Sequence, residues 1–219
     1  MFHVFCDFDG TITTRDATDF VLERLAEPEW LEIEAKWQKG LIGSAECMRA
    51  QVALINATRQ ELNQTLDEVQ IDEGFFEFAA LCQRTNTPIT IISDGVDYFI
   101  RYILTRYKLG RIPVVANRLT ITPDNSYQLD SPWSSDKCRS GAGVCKCSFV
   151  GEEKLQRIYV GDGRSDFCVS SKPEIVFAKG KLITYCKKND ISYIPYQNFH
   201  DVISELKYPL QYSPLKKAV

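Results

Sequence analysis

Phe5-Cys6-Asp7-Phe8-Asp9-Gly10-Thr11 decides how the rest of this chain is read. Met1 to Cys6 is apolar apart from His3 and rich in strand-favouring residues; two carboxylates follow, then Gly10 and Thr11. That order describes a buried strand ending in a tight turn. Open α/β sheets bind ligands outside the carboxyl ends of their strands, so Asp7 and Asp9 stand where such sheets bind. Two carboxylates this close repel each other unless a proton or a cation lies between them. A hard divalent ion with oxygen ligands, most simply Mg2+, relieves the repulsion. Alone, the run is as readily an Asp-Gly turn closing a strand; the later strand ends break that tie.

The 219 residues suffice for one full α/β domain, or one domain with a sizeable insertion. Composition is that of a globular protein, 44% hydrophobic and 25% charged, with a net charge of −3. Without a basic excess, nucleic acid is not the expected partner. No run approaches the length of about 18 apolar residues that a membrane span needs, and no secretory pattern opens the chain, so a cytoplasmic setting is expected. In that setting the eight cysteines are expected to be reduced and mostly buried. Cys138, Cys145 and Cys147 cluster, but without paired CxxC spacing or a nearby histidine a structural loop is expected rather than zinc.

Residues 15–72 show helical spacing and no strand pattern. Thr18 or Asp19 can cap a helix carrying Phe20, Val21, Leu22 and Leu25. Pro28-Glu29 restarts a second helix with Trp30 and Trp37, Ser44 starts a third, and Thr58 or Arg59-Gln60-Glu61 begins a fourth. From Gly74 strands and helices alternate. Pro88-Ile89-Thr90-Ile91-Ile92 leads into Ser93-Asp94-Gly95, and Val114-Val115-Ala116 is followed by a hairpin over 119–129. Arg157-Ile158-Tyr159-Val160 leads into Gly161-Asp162-Gly163-Arg164-Ser165-Asp166, and Ile175 to Ala178 is a further strand. Helical patterns fill 75–81, 98–104, 149–155, 182–188 and 199–206. The alternation predicts an α/β fold, a doubly wound, mainly parallel Rossmann-like sheet. The expected core is residues 1–14 and 73–219, with 15–72 inserted as a helical cap that closes over the site. Arg15, Asp16, Trp30, Lys36, Trp37 and Arg49 are candidate substrate contacts in the cap, although the tryptophans are better suited to packing between cap helices and Lys36 and Arg49 to a solvated face.

In a parallel sheet the ends of all strands lie on one edge. Asp7 and Asp9, Ser93-Asp94-Gly95, and Asp162 with Asp166 can therefore converge, with Lys146 in a loop-to-helix junction nearby. The set is coherent for phosphoryl transfer. A carboxylate nucleophile facing a phosphate dianion needs a bridging metal. The Ser93 hydroxyl and the Asp94 and Gly95 amides can hold equatorial oxygens, and Lys146 can supply fixed positive charge. Asp162 and Asp166 complete a metal site. A phospho-accepting receiver module also uses a strand-end aspartate, a hydroxyl and a lysine, but lacks a large helical insertion and leaves Asp9 without a role. A catalytically dead binding scaffold does not explain the full acidic set.

Asp7-Phe8-Asp9-Gly10-Thr11, Ser93 after an apolar strand, Lys146, and Gly161-Asp162-Gly163-Arg164-Ser165-Asp166 together resemble the four ordered motifs of haloacid dehalogenase superfamily phosphatases. The helical insertion resembles the branch that includes phosphoserine phosphatase. Pro28-Glu29-Trp30, Ser93 to Phe99, the cysteine-rich segment around Lys146 and Pro195 to Phe199 are similar to phosphatases of methionine salvage acting on a methylthio-ketose phosphate. The segment departs from that pattern in its spacing and in Cys147 directly after the lysine. The resemblance implies Asp7 as nucleophile forming an aspartyl-phosphate and Asp9 as acid, then base. It also implies Mg2+ held by Asp7, the Asp9 carbonyl and Asp162 with Asp166 in support, Ser93 and Lys146 on the phosphoryl oxygens, and a small phosphorylated metabolite as partner.

Overall fold

The computed structural model describes residues 1–138 and 141–212. Its first strand, β1 (Phe2–Cys6), is followed by α1 (Ala17–Leu25), α2 (Trp30–Gln38), α3 (Ser44–Val52), α4 (Arg59–Asp67) and α5 (Gly74–Arg84). Next come β2 (Ile89–Val96), α6 (Asp97–Arg106), β3 (Val114–Ile121), β4 (Tyr127–Asp130), α7 (Lys146–Glu152) and β5 (Gln156–Gly161). A 3-10 turn (Arg164–Asp166), β6 (Ile175–Ala178), α8 (Gly180–Lys188), β7 (Ile194–Pro195) and α9 (Phe199–Tyr212) complete the described chain. The strands form one sheet in the order β4-β3-β2-β1-β5-β6-β7. All neighbours pair in parallel except β4, which is antiparallel to β3. This is the doubly wound, mainly parallel sheet that the alternation predicts. The chain winds outward from β1 through β2 and β3 to β4, then crosses back to β5 on the other side of β1, so the crevice at the carboxyl end of β1 is the topological switch point.

Alternation along β1 divides the core. Val4 and Cys6 turn to one face with Ile91, Val160 and Phe177, where α5 and α9 bring Phe75, Phe78 and Phe199. Phe75 and Phe199 meet edge-on at 4.8 Å between centroids, a favoured aromatic geometry. Phe5 turns to the other face with Ile92, Val144, Val150 and Tyr159. With its backbone groups consumed by β2 and β5, β1 is rigid up to Cys6, and Asp7 is the first residue free to serve a site.

The helices after β1 are unequally held. Phe20, Val21 and Leu22 of α1 and Leu62 and Leu66 of α4 join the same continuous core as Val4 and Cys6. Tyr98 and Tyr102 of α6 donate to Asn63 and Asp67 of α4 at 2.8 and 3.1 Å, and Arg106 donates to the Leu66 carbonyl at 3.0 Å. By contrast α2 buries no residue fully, and Leu31 is 56% exposed.

Several local expectations shift. Asp16, not Thr18 or Asp19, caps α1, accepting from the Asp19 amide at 2.9 Å; three polar residues in four offer equivalent caps, and tertiary packing chooses. Thr58 does cap α4, in a capping box with Glu61. Ser93-Asp94-Gly95 is not a turn after the strand but part of β2. Asn117 of β3 donates to the Asp94 and Gly95 carbonyls at 2.6 and 3.3 Å, where the β2–β3 register shifts, and so carries the strand onward. β3 runs unbroken through Ile121, where a strand and a separate hairpin arm are expected. α7 starts at Lys146 rather than near Phe149, and α9 continues to Tyr212 through Pro209.

Candidate active site

Asp7 emerges from β1 almost fully enclosed, at 4% exposure. Its Oδ1 accepts from the Phe8 amide at 2.8 Å and lies 2.9 Å from Lys146 Nζ, while Oδ2 accepts from Ser165 Oγ at 3.3 Å. Burial raises the Asp7 pKa well above that of an ordinary aspartate, and repulsion from Asp166 adds to it against the pull of Lys146. The turn then reverses at Gly10, whose φ of +68° favours glycine and whose Cβ, if present, would fall 2.8 Å from Asp162 Oδ2. That geometry returns Asp9 to the crevice. Asp9 Oδ1 accepts from the Ala17 amide at 2.8 Å, tying the side chain to the start of α1. Burial, then repulsion from Asp16, raises its pKa well above the usual value. A carboxyl whose proton affinity is raised by its surroundings is suited to donate a proton.

The end of β2 supplies a hydroxyl and, less obviously, space. Ser93 is 1% exposed, and its Oγ accepts from the Gly95 amide at 2.9 Å, so that amide is already engaged within the strand end. Asp94 turns its carboxylate elsewhere: Oδ2 accepts from Ser44 at 2.5 Å and Oδ1 from the Val144 amide at 3.0 Å. It thereby links the start of α3 to the segment that delivers Lys146.

Lys146 is 1% exposed and bridges Asp7 to Asp166, whose Oδ1 lies 2.7 Å from Nζ. Burial disfavours its ammonium, but Asp166 and Asp7 outweigh that and raise its pKa, so it stays charged. Asp166, at 0% exposure, accepts from Lys146 and Tyr159 (2.5 Å) on Oδ1 and from the Asp162 and Gly163 amides (2.9 and 3.0 Å) on Oδ2. Against its burial, these contacts lower its pKa. Gly161 must be glycine here, because a Cβ would fall 2.5 Å from Asp166 Oδ2. Asp162 accepts from Thr11 Oγ1 at 2.8 Å, and burial with repulsion from Asp166 pushes its carboxyl up to about 6.

Asp7, Asp162 and Asp166 each offer a carboxylate oxygen within 4.8 Å of the others, and no other such group occurs among the described residues. Three carboxyls share one ammonium, and two of the three are raised, so the cluster favours taking up a proton or a further cation. An all-oxygen donor set fits a hard divalent ion such as Mg2+. With both Asp166 oxygens already occupied, Asp7 and Asp162 have the free lone pairs.

These strand ends open into one cavity of about 780 Å3, lined by Asp7, Asp9, Ser93, Asp94, Gly95 and Asp162 from the sheet edge. From the helices before α5 it receives Asp16 and Trp37, whereas Arg15, Trp30, Lys36 and Arg49 do not line it. Trp30 packs against the core, and the Arg15 guanidinium lies 4.4 Å from the Phe20 ring. Sequence reasoning missed Tyr159, Asn117 and Ser44 as supports, and passed over Thr11 and Ser165 although both lie inside the quoted motifs. Of the cysteines, Cys147 hydrogen-bonds with Cys168, which pulls its thiol down to about 6. The group Cys138, Cys145 and Cys147 forms no metal cluster among the described residues.

A family model described as haloacid dehalogenase-like hydrolase matches residues 4–170. The chain belongs to the haloacid dehalogenase-like hydrolases. A 2-hydroxy-3-keto-5-methylthiopentenyl-1-phosphate phosphatase of Bacillus thuringiensis subsp. konkukian (strain 97-27) is 32% identical over 215 residues, covering 95% of this chain and 97% of that protein. The phosphatase of the same name from Bacillus mycoides (strain KBAB4) is 32% identical over 216 residues with the same coverage. Among solved structures, a phospho-aspartyl intermediate analogue of phosphoserine phosphatase superposes with a TM-score of 0.69 at 19% identity, over 94% of this chain and 97% of that one. The fold is therefore shared with phosphoserine phosphatases. Membership of a hydrolase family leaves the receiver-module alternative without support. No helix among the described residues is long and apolar enough to cross a membrane.

Proposed function

We propose that this haloacid dehalogenase-like phosphatase hydrolyses a small phosphate monoester through an aspartyl-phosphate on Asp7, with Mg2+ as cofactor. One observation carries the reading: Asp7 and Asp162 of the Asp7-Asp162-Asp166 cluster line the same cavity as Asp9 and Ser93, while Lys146 bridges Asp7 to the enclosed Asp166 behind them. Asp7 and Asp162 would hold the ion, with Asp166 fixing the loop that presents Asp162. When bound, Mg2+ supplies charge neutralisation between the nucleophile and the phosphate dianion. Lys146 and the Phe8 amide orient the Asp7 carboxylate. One of its oxygens attacks phosphorus as the ester oxygen departs. Asp9, whose proton affinity is raised by desolvation and by the nearby Asp16, gives its proton to that oxygen. The resulting Asp9 carboxylate then takes a proton from the water that hydrolyses the aspartyl-phosphate, restoring both side chains. Ser93 binds a phosphoryl oxygen. Its hydroxyl is available because the bond it makes with Gly95 uses only a lone pair.

Residues 15–72 act as the cap. The relatives at 32% identity, named for a methylthio-ketose phosphate, favour a phosphate monoester of that kind, with an uncharged leaving group; phosphoserine is the second candidate, on the shared fold alone. Steady-state hydrolysis of p-nitrophenyl phosphate tests the chemistry. Turnover is expected with Mg2+ and is expected to vanish on adding EDTA or in Asp7→Asn; metal-independent turnover by that variant would refute the mechanism. A panel containing 2-hydroxy-3-keto-5-methylthiopentenyl-1-phosphate and phosphoserine decides between the substrates.

A further inference from the structure

The mechanism leaves part of the cavity unused. Asp16 and Asp19 from the first turn of α1 and Glu34 from α2 line it together with Trp37, Cys47 and Met48. The three carboxylates stand close enough to repel one another: although Asp19 is exposed at the cavity, partial desolvation there and the charges of Asp16 and Glu34 hold its carboxyl up to about 7. Glu34 is fixed rather than loose, accepting from Gln51 at 3.1 Å and Gln38 at 2.9 Å. A second observation is independent of the charges. Thr18, 4% exposed, borders the same cavity, and its Oγ1 is buried without a hydrogen-bond partner. A buried hydroxyl left unpaired is uncommon and is satisfied when a ligand supplies the partner. No lysine or arginine of α1, α2 or α3 lines the cavity. Of the cations that do, the Arg164 guanidinium lies 4.9 Å from the Trp37 ring, and Lys181 is attracted to Asp19.

We propose that Asp16, Asp19 and Glu34, with the Thr18 hydroxyl, form a pole that selects monoesters whose leaving group is uncharged or cationic and carries hydroxyl or amine donors, and that rejects leaving groups bearing a carboxylate. The inference rests on the phosphatase reading and sharpens it. A hydroxyl or ammonium donates to these carboxyls, whereas a substrate carboxylate adds a further negative charge to a pole where acidic groups outnumber Arg164 and Lys181. Trp37, Met48 and Cys47 give the same wall an apolar side for an aliphatic or thioether tail.

The test compares kcat/KM of the Mg2+-loaded full-length enzyme for glycerol 1-phosphate, phosphoethanolamine, 3-phosphoglycerate and phosphoserine, with p-nitrophenyl phosphate as the probe of core chemistry. Glycerol 1-phosphate and phosphoethanolamine should exceed 3-phosphoglycerate by about tenfold or more. In Glu34→Gln and in Asp19→Asn the ratio should shrink several-fold, mainly through KM for the acidic ester. The wild-type ratio stands as evidence without either variant. Equal or better hydrolysis of 3-phosphoglycerate or phosphoserine, or an unchanged ratio in both variants, overturns the proposal. If p-nitrophenyl phosphate is hydrolysed while selectivity is flat, only this proposal falls; if it is not hydrolysed, the phosphatase reading falls first.

Discussion

A side chain on Gly95 has nowhere to go, since its Cβ would overlap Asp9 Oδ2 and come within 3.0 Å of Ser93 Oγ. Gly95→Ala should therefore displace the proton donor without touching the nucleophile, lowering kcat by about 100-fold, the scale of a misplaced catalytic group. Lys146→Met acts on stability as well. It leaves Asp7 and Asp166 buried together without their shared ammonium, and urea unfolding should show a loss of about 3 kcal/mol, part of which added Mg2+ should recover. At this scale, legibility in the sequence followed chain distance. Asp7, Asp9, Asp162 and Asp166 were visible because a strand end followed by a turn is a local pattern. Tyr159 and Asn117 were not, because each faces inward along a strand and acquires its partner, Asp166 or the Asp94 carbonyl, only when the sheet closes. Nothing local told where the Asp94 carboxylate would turn. Its carboxylate turns to Ser44 and Val144, each 50 residues away.

At the scale of elements, Thr58 and Asp19 show caps and charges at work. Thr58→Ala removes the capping box of α4 and should cost about 1 kcal/mol of stability, read from the shift in thermal melting. Asp19 is a pH test. Its folded-state carboxyl is held up to about 7, above the value of about 3.9 it has when unfolded, so the folded state binds the proton more tightly. Its contribution is most favourable below about pH 4 and is lost as pH rises through about 7. The Tm gain of Asp19→Asn over the wild type should be larger at about pH 8 than at about pH 5; a gain that does not depend on pH would refute the assignment. Long periodic elements such as α5 and α6 were readable from their apolar spacing. β7, only Ile194–Pro195, carries too few residues to show a period, and β2 overran its apparent turn because Asn117 on the neighbouring strand holds it.

On the scale of the whole molecule, α4 is bonded to α6 and α1 is tied to Asp9, whereas α2 packs without a fully buried side chain. Any opening of the proposed cap is expected to involve α2 and the loops flanking it, while α4 stays in place. Hydrogen exchange should be faster in residues 30–38 than in 59–67, and slow exchange throughout both would contradict that division. Opening there would carry Glu34 and Trp37 away from the sheet edge and admit substrate, while Asp7, Lys146 and Asp166 remain locked. The central claim is that Asp7 carries the phosphoryl group. It is tested most directly by acid-quenching the enzyme during turnover of a labelled phosphate monoester and locating the label by mass spectrometry. One labile phosphoryl group on Asp7, absent from Asp7→Asn together with turnover, is the expected result. Turnover with no labelled protein, or a label that persists in Asp7→Asn, would contradict it.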